Sequence, residues 1–281
     1  MELIDSDGKP YVVYMDAEFQ TFRSPKSNDL LGKAGFKLTP PFVHYPNDHI
    51  YNTYQFLLNI AFIIVDADKN YWVQIATFPS LFGKPPFDDG RLLEPAYTIV
   101  TPDIIKKMED ERPKVKKFEF LSNILSEEAK AGFLRLNDLY QSGMGPDNLE
   151  KSKSILNYLL KTLAPHSKIV HKGATDLDAI HNTCVFYKIK MPSLDSRNLD
   201  HFSDKFVGLY GETHDKKLET LQGLFCKYDQ ELLDLRESMI AYTNLYMEGF
   251  YGEKVEAKAH NPLVDCVYAL ILDIAVSKYL K

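Results

Sequence analysis

Asp16 and Glu18 put the most chemistry into the least space. They stand two positions apart in Tyr11-Val12-Val13-Tyr14-Met15-Asp16-Ala17-Glu18-Phe19, an apolar, β-branched and aromatic run that reads as a buried strand. Side chains alternate faces along a strand, so the two carboxylates point one way and Ala17 the other. Like charges at the end of a buried strand are costly unless a positive charge neutralises them. A divalent metal with oxygen ligands is the usual answer. The strand is therefore expected to floor a metal-dependent site, and the rest of the chain must supply further ligands. Asp176 is one candidate, at a strand-to-helix turn. His260 and Asp265 are two more, at the opening of the last helix. Asp178 rivals Asp176, but two residues on within a helix lie about 200° around the axis, so both cannot face one site. Asp176 is preferred for its place at the turn.

These residues need elements to position them. Phe56–Val65 and Tyr71–Phe78 read as two more strands, joined through Asp66-Ala67-Asp68-Lys69-Asn70 as a hairpin. That turn opens like a calcium loop but has Tyr71 and Thr77 where the glycine and final acid belong, which excludes it. Between the first two strands, residues 21–52 show no clean period and hold four prolines. Their aromatics and bases suit stacking on unpaired bases. A cover that buries the aromatics against the sheet is the favoured reading, because buried aromatics contribute heavily to cores. Beyond Pro79, helical patterns run over 104–111, 120–134 and 149–163. Lys106, Lys107, Lys114, Lys116 and Lys117 are interleaved with acids there and read as a solvated face.

Ser167-Lys168-Ile169-Val170 signals a short strand. Gly173 then permits a tight turn, with Thr175 expected as the helix N-cap. Residues 191–199 look like another strand and 218–226 a helix, so the second half should carry the parallel part of a mixed sheet. Residues 228–258 look helical, with Gly249 and Gly252 in a turn. Asn261 is a favoured N-cap and Pro262 a favoured first helical residue; Leu263, Val267, Leu270, Ile271 and Ile274 then repeat at helical spacing.

The bulk composition narrows the classes. A formal charge of −6 excludes a strongly basic nucleic-acid coat but leaves room for one local groove. Cys184, Cys226 and Cys266 are odd in number and far apart, against both a disulfide framework and a zinc site. With no signal-peptide pattern and no spanning apolar run, a soluble, intracellular chain is expected, cytoplasmic by default, with no membrane association.

In order and context, Asp16-Ala17-Glu18, His171-Lys172-Gly173-Ala174-Thr175-Asp176 and His260 through Asp265 resemble the three motifs of the DEDDh family of 3′–5′ exonucleases, which includes RNase T, oligoribonuclease and bacterial proofreading subunits. The resemblance implies an α/β, RNase H-like fold: a mixed five-stranded sheet, three antiparallel strands then two parallel, flanked by helices. It makes residues 1–281 a single exonuclease domain with large insertions at about 21–55, 79–165 and 228–258. Lys172 and Thr175 stand where the family prefers Asn and an aromatic. Phe19-Gln20-Thr21-Phe22 replaces the small hydroxyl residues that often contact the terminal nucleotide.

The same resemblance implies the chemistry. Asp16, Glu18, Asp176 and Asp265 would hold two Mg²⁺ or Mn²⁺ ions, with water activated at one and the leaving 3′ oxygen stabilised at the other. His260 would be the general base. Ala17, Phe19, Gln20, Thr21, Phe22 and His171 are the residues expected near the substrate, although His171 also reads as a structural residue of the strand end. The implied partner is RNA or DNA with a free 3′ end, single-stranded for preference, from which 5′-mononucleotides are released. A polymerase or ribonucleoprotein partner stays open. The competing class is a catalytically weak nucleic-acid-binding or polymerase-docking module on the same fold. A pure binder has no need of all five residues, which weighs against it.

Overall fold

The computed structural model describes residues 11–25, 42–44, 51–78, 146–202, 217–251 and 261–280. The chain opens with a strand, β1 (Tyr11–Pro25), returns as β2 (Tyr51–Val65), and turns again into β3 (Tyr71–Thr77). The turn after β2 follows from Asp66. Its Oδ1 accepts from the backbone of Asp68 at 2.9 Å and of Asn70 at 2.8 Å, and Lys69 takes φ +63°. Helix α1 (Pro146–Tyr158) leads through a wide turn at Leu159–Leu163 and a tight one at Ala164–His166 into β4 (Ser167–His171). Pro165 offers no N–H to continue the helix, which ends the regular spiral short of the expected residue 163. Helix α2 (Thr175–Tyr187) and β5 (Ser196–Asn198) follow, then α3 (Leu218–Tyr228), α4 (Gln230–Tyr251) and α5 (Pro262–Tyr279).

The sheet runs β3-β2-β1-β4-β5. Its first three strands are antiparallel, while β4 and β5 run parallel to β1. This is an α/β chain with the mixed five-stranded sheet that the alternation of elements implied. Period-two alternation along β1 feeds two cores. Val13, Met15 and Ala17 pack with Leu57, Ile60, Phe62 and α2's Ala179, Ile180 and Cys184. On the other face Tyr14, with Ala61 and Ile63, meets Leu263, Val267, Leu270 and Ile271 of α5. Each such buried aliphatic chain contributes roughly 1.5–3 kcal/mol. Helix α5 is the more apolar of these covers, and its cap is the expected one. Asn261 Oδ1 accepts from Leu263 N at 3.0 Å, with Pro262 in the first turn.

Four expectations need correction. The irregular segment does not begin at Thr21 or last to residue 55. Strand β1 continues to Pro25 because β2 already starts at Tyr51, and Phe22 pairs with Tyr54 and Arg23 with Thr53. The strand expected over 191–199 shrinks to Ser196–Asn198, since it finds backbone partners only along Ile169–His171. Helix α4 runs through Gly249 instead of turning there. Thr175 does not cap α2: Ala174 holds that position, with no side-chain cap bond. The expected helices at 104–111 and 120–134, the basic cluster at 106–117 and Gly252 lie outside the described residues. No helix among the described residues is long and apolar enough to cross a membrane.

Candidate metal centre

Strand β1 outruns its parallel neighbour. Pairing with β4 stops at Tyr14 and Val170, and one residue later the chain of β4 turns away. Asp16 and Glu18 therefore lie beyond the carboxyl end of β4, where the sheet edge is open to whatever the turn delivers. That is the usual ligand position in a sheet of this kind. Both share the face of Tyr14, the face covered by α5, whose first turn carries Asp265. Asp16, Glu18 and Asp265 each bring one carboxylate oxygen to within 4.8 Å of the others.

Asp176 arrives from the opposite layer. Gly173 at φ +98° reverses the chain after β4, and Asp176 falls in the first turn of α2, buried at the strand end. Its charge acts on both β1 carboxylates. Burial raises the Asp16 carboxyl well above the ordinary range, with Asp176, Asp265 and Glu18 adding to it and Lys172 opposing. Glu18 is raised by burial, then by Asp265 and Asp176. Asp176 is raised by burial, Asp265 and Asp200, again against Lys172. Four acids on three elements thus share one poorly solvated space. Asp178 is not among them; the neighbouring charge it feels is that of His181.

The donor set fits a hard divalent cation. It consists of carboxylate oxygens alone, the ligand class of Mg²⁺ and Mn²⁺. Asp176 Oδ2 is buried without a hydrogen-bond partner, so one acceptor in this space has nothing to accept from. Behind the acids, the Cys266 thiol donates to Ala61 O at 3.2 Å, and burial followed by the charges of Asp16 and Asp265 keeps it protonated. It is a packing residue there.

The other expected substrate residues divide. Ala17 is buried and Phe19 partly buried in the core on the far side of the sheet, so their side chains face away from the acids. The reason is the same strand alternation that aligned Asp16 with Glu18. Gln20, Thr21 and Phe22 belong to β1, but their side chains lie outside the described residues, and so does His260. His171 is buried, and its Nδ1–H donates to Gly173 O at 2.6 Å, shaping the turn.

Three residues near the acids were not singled out by their sequence. Lys172 had counted only as a departure from a motif. Its ammonium lies 3.1 Å from Asp200 Oδ1 while its charge acts on Asp16 and Asp176. Asp200, just past β5, acts in turn on Asp176. Asn59 is the cross-strand partner of Glu18 and buried, with Oδ1 unpartnered. Local signals were faint: a lysine beside a flexible glycine, and an Asn-Leu-Asp end to a short strand. No protein-family model matches this chain, and no curated protein matches it.

Proposed function

We propose that this chain is a metal-dependent 3′–5′ exonuclease of DEDDh type on an RNase H-like sheet, releasing 5′-mononucleotides from nucleic acid with a free 3′ end. The observation that carries the reading is the convergence of Asp16, Glu18, Asp176 and Asp265 from β1, α2 and α5, positions separated by up to most of the chain. A structural role for such a cluster is hard to sustain, because buried like charges without a cation cost stability.

Asp16, Glu18 and Asp265 would hold one Mg²⁺ or Mn²⁺ ion, and Asp176 with Asp16 a second. When bound, the two ions supply positive charge against the phosphate and acidify water. The chain's own contributions follow from their places. Glu18 and Asp265, on facing elements, fix the site between sheet and helix. Asp176 closes it at the end of β4. His260, directly before the Asn261 cap, is assigned the proton of the attacking water at its imidazole nitrogen, a group whose unperturbed pKa suits that task near neutrality. The apolar packing of α5 on β1, with the Tyr14–Asp273 hydrogen bond, holds Asp265 in register with Asp16.

Full-length protein with Mg²⁺ and a 5′-labelled single strand, as RNA and as DNA, tests this. Stepwise shortening from the 3′ end with mononucleotide products is expected, abolished by chelator and by His260→Ala. Internal cuts, or shortening that continues in chelator, would sink the reading.

A further inference from the structure

The turn between β4 and α2 is held more firmly than the placing of Asp176 requires. Leu199 N–H donates to His171 O at 2.8 Å, and Gly173 N–H donates to Asn198 Oδ1 at 3.1 Å. The same Asn198 oxygen accepts from Asp200 N–H at 2.9 Å, which sets the Asp200 carboxylate beside the turn. Gly173 is needed for its φ of +98°, since a Cβ there would meet nothing within 4 Å. Lys172 sits between these anchors. Its side chain is 19% exposed and paired with Asp200 at 3.1 Å, and its charge acts on Asp16 and Asp176. A surface lysine prefers solvent. This one is turned inward by a built scaffold.

Charge balance shows what it is for. Four carboxylates match two divalent cations, so the loaded site has nothing left for the substrate's own negative charge. The reacting phosphate carries one negative charge and gains more as the attacking water loses its proton. A cation at the rim meets that charge where it develops.

We propose, resting on the exonuclease reading above, that Lys172 is the residue that binds the terminal phosphodiester, exchanging its Asp200 partner for a phosphate oxygen when substrate enters. The substrate class this selects is one with an anionic linkage at its 3′ end. Asp200 is a positioning residue that holds the lysine ready, and its own negative charge faces the Asp176 side of the site.

The test uses the full chain with Ca²⁺ in place of Mg²⁺ to slow turnover. Two short single strands are compared, one with an ordinary 3′-terminal phosphodiester and one with an uncharged methylphosphonate at that linkage. Wild type is expected to bind the charged strand about 10-fold more tightly, the scale of one charge-assisted contact. Lys172→Gln should bring the two affinities to parity, and Lys172→Arg should retain the difference. Asp200→Asn, which frees the ammonium and serves also if Lys172→Gln fails to fold, should widen the gap by about 2-fold. A Lys172→Gln protein that keeps the wild-type preference overturns the proposal, as does an Asp200→Asn protein at parity or a wild type with no preference. If wild type shows the preference but releases no mononucleotide with Mg²⁺, the exonuclease reading falls and the Lys172 contact stands.

Discussion

Helix α5 turns two aspartates toward β1, and they live in opposite surroundings. Asp265 opens the helix among Asp16, Glu18 and Asp176. Asp273 lies eight residues on, about 12 Å along the axis. There Tyr14 O–H donates to its Oδ2 at 3.1 Å and Arg197 Nη1 stands 2.7 Å from Oδ1, out of line for a hydrogen bond, so the second contact is an ion pair. The Arg197 guanidinium in turn stacks over Phe202 at 4.7 Å. Burial raises the Asp273 carboxyl, and Arg197 and then Tyr14 pull it back. One helix therefore carries an acid that fastens it to the sheet through a cation and a phenol, and an acid that sits in a cluster with three other acids. The first fastens helix to sheet, and the second belongs to the metal centre proposed above.

The contrast breaks most sharply at Asp265. Asp265→Asn should lower mononucleotide release by about 10³-fold, the scale of a lost metal ligand in a hydrolytic site. Mn²⁺ should raise the melting temperature of the wild type, and the substitution should abolish that rise. Thermal unfolding with and without Mn²⁺, beside a product assay, checks both halves. Arg197→Met should do the reverse. Asp273 would stay buried without its cation, at a cost of about 3 kcal/mol in urea unfolding, while activity per folded molecule is preserved.

Asp176→Asn sharpens the comparison further. In chelator it should stabilise the protein by about 1–2 kcal/mol, because one of four crowded charges is gone, even as activity disappears. The pH profile carries the same sign. Acids raised in the folded state bind protons more tightly there than in the unfolded chain. Chelated wild type should therefore lose stability as pH rises from about 4 through their raised values. The variant should show a shallower slope, read from melting temperature against pH.

Asp229 provides the smallest and opposite effect. It caps α4 by accepting from Glu231 N at 3.1 Å and Leu232 N at 3.3 Å, and it binds Lys278 at 2.8 Å and Tyr279 O–H at 2.6 Å. Those bonds, Lys278 first and Tyr279 second, hold its carboxyl down at about 2. A depressed acid contributes stability above its unfolded pKa near 4 and loses it as pH falls through the folded value. Asp229→Asn should lower stability modestly at neutrality, less so at high salt, and flatten the acid limb so that the two proteins converge as pH falls from about 4 to about 2. Acid titration of the melting temperature distinguishes it from the Asp176 effect, which slopes the other way in a higher window.

The parts of the site that were legible are those set by short-range geometry. Period two put Asp16 and Glu18 on one face, and the Asn261-Pro262 start placed Asp265 in the first turn of a buried helix. Helical angle allowed only one of Asp176 and Asp178, the place at the turn favoured Asp176, and the structure puts Asp176 with the acids while Asp178 feels His181. The same short-range rule, applied to Ala17 and Phe19, would have removed their side chains from the substrate list. What was not legible depended on partners far away in the chain. Nothing near Phe22 says that it pairs with Tyr54, so the end of β1 was drawn too early. Lys172 looked like a departure because Asp200, which turns it inward, becomes its neighbour only when β5 pairs with β4.

Sequence by itself thus determined which residues share a face, where the last helix begins, and that an α/β alternation should build a mixed sheet. Those follow from bond geometry and from caps that act within a few residues. Only tertiary structure decided that β1 outruns β4, and so opens the gap in which acids from three elements meet. Only tertiary structure set Arg197 against Asp273, and Lys172 against Asp200 where its charge reaches Asp16 and Asp176. Coulomb energy depends on distance through space and on burial, and neither is a property of spacing along the chain.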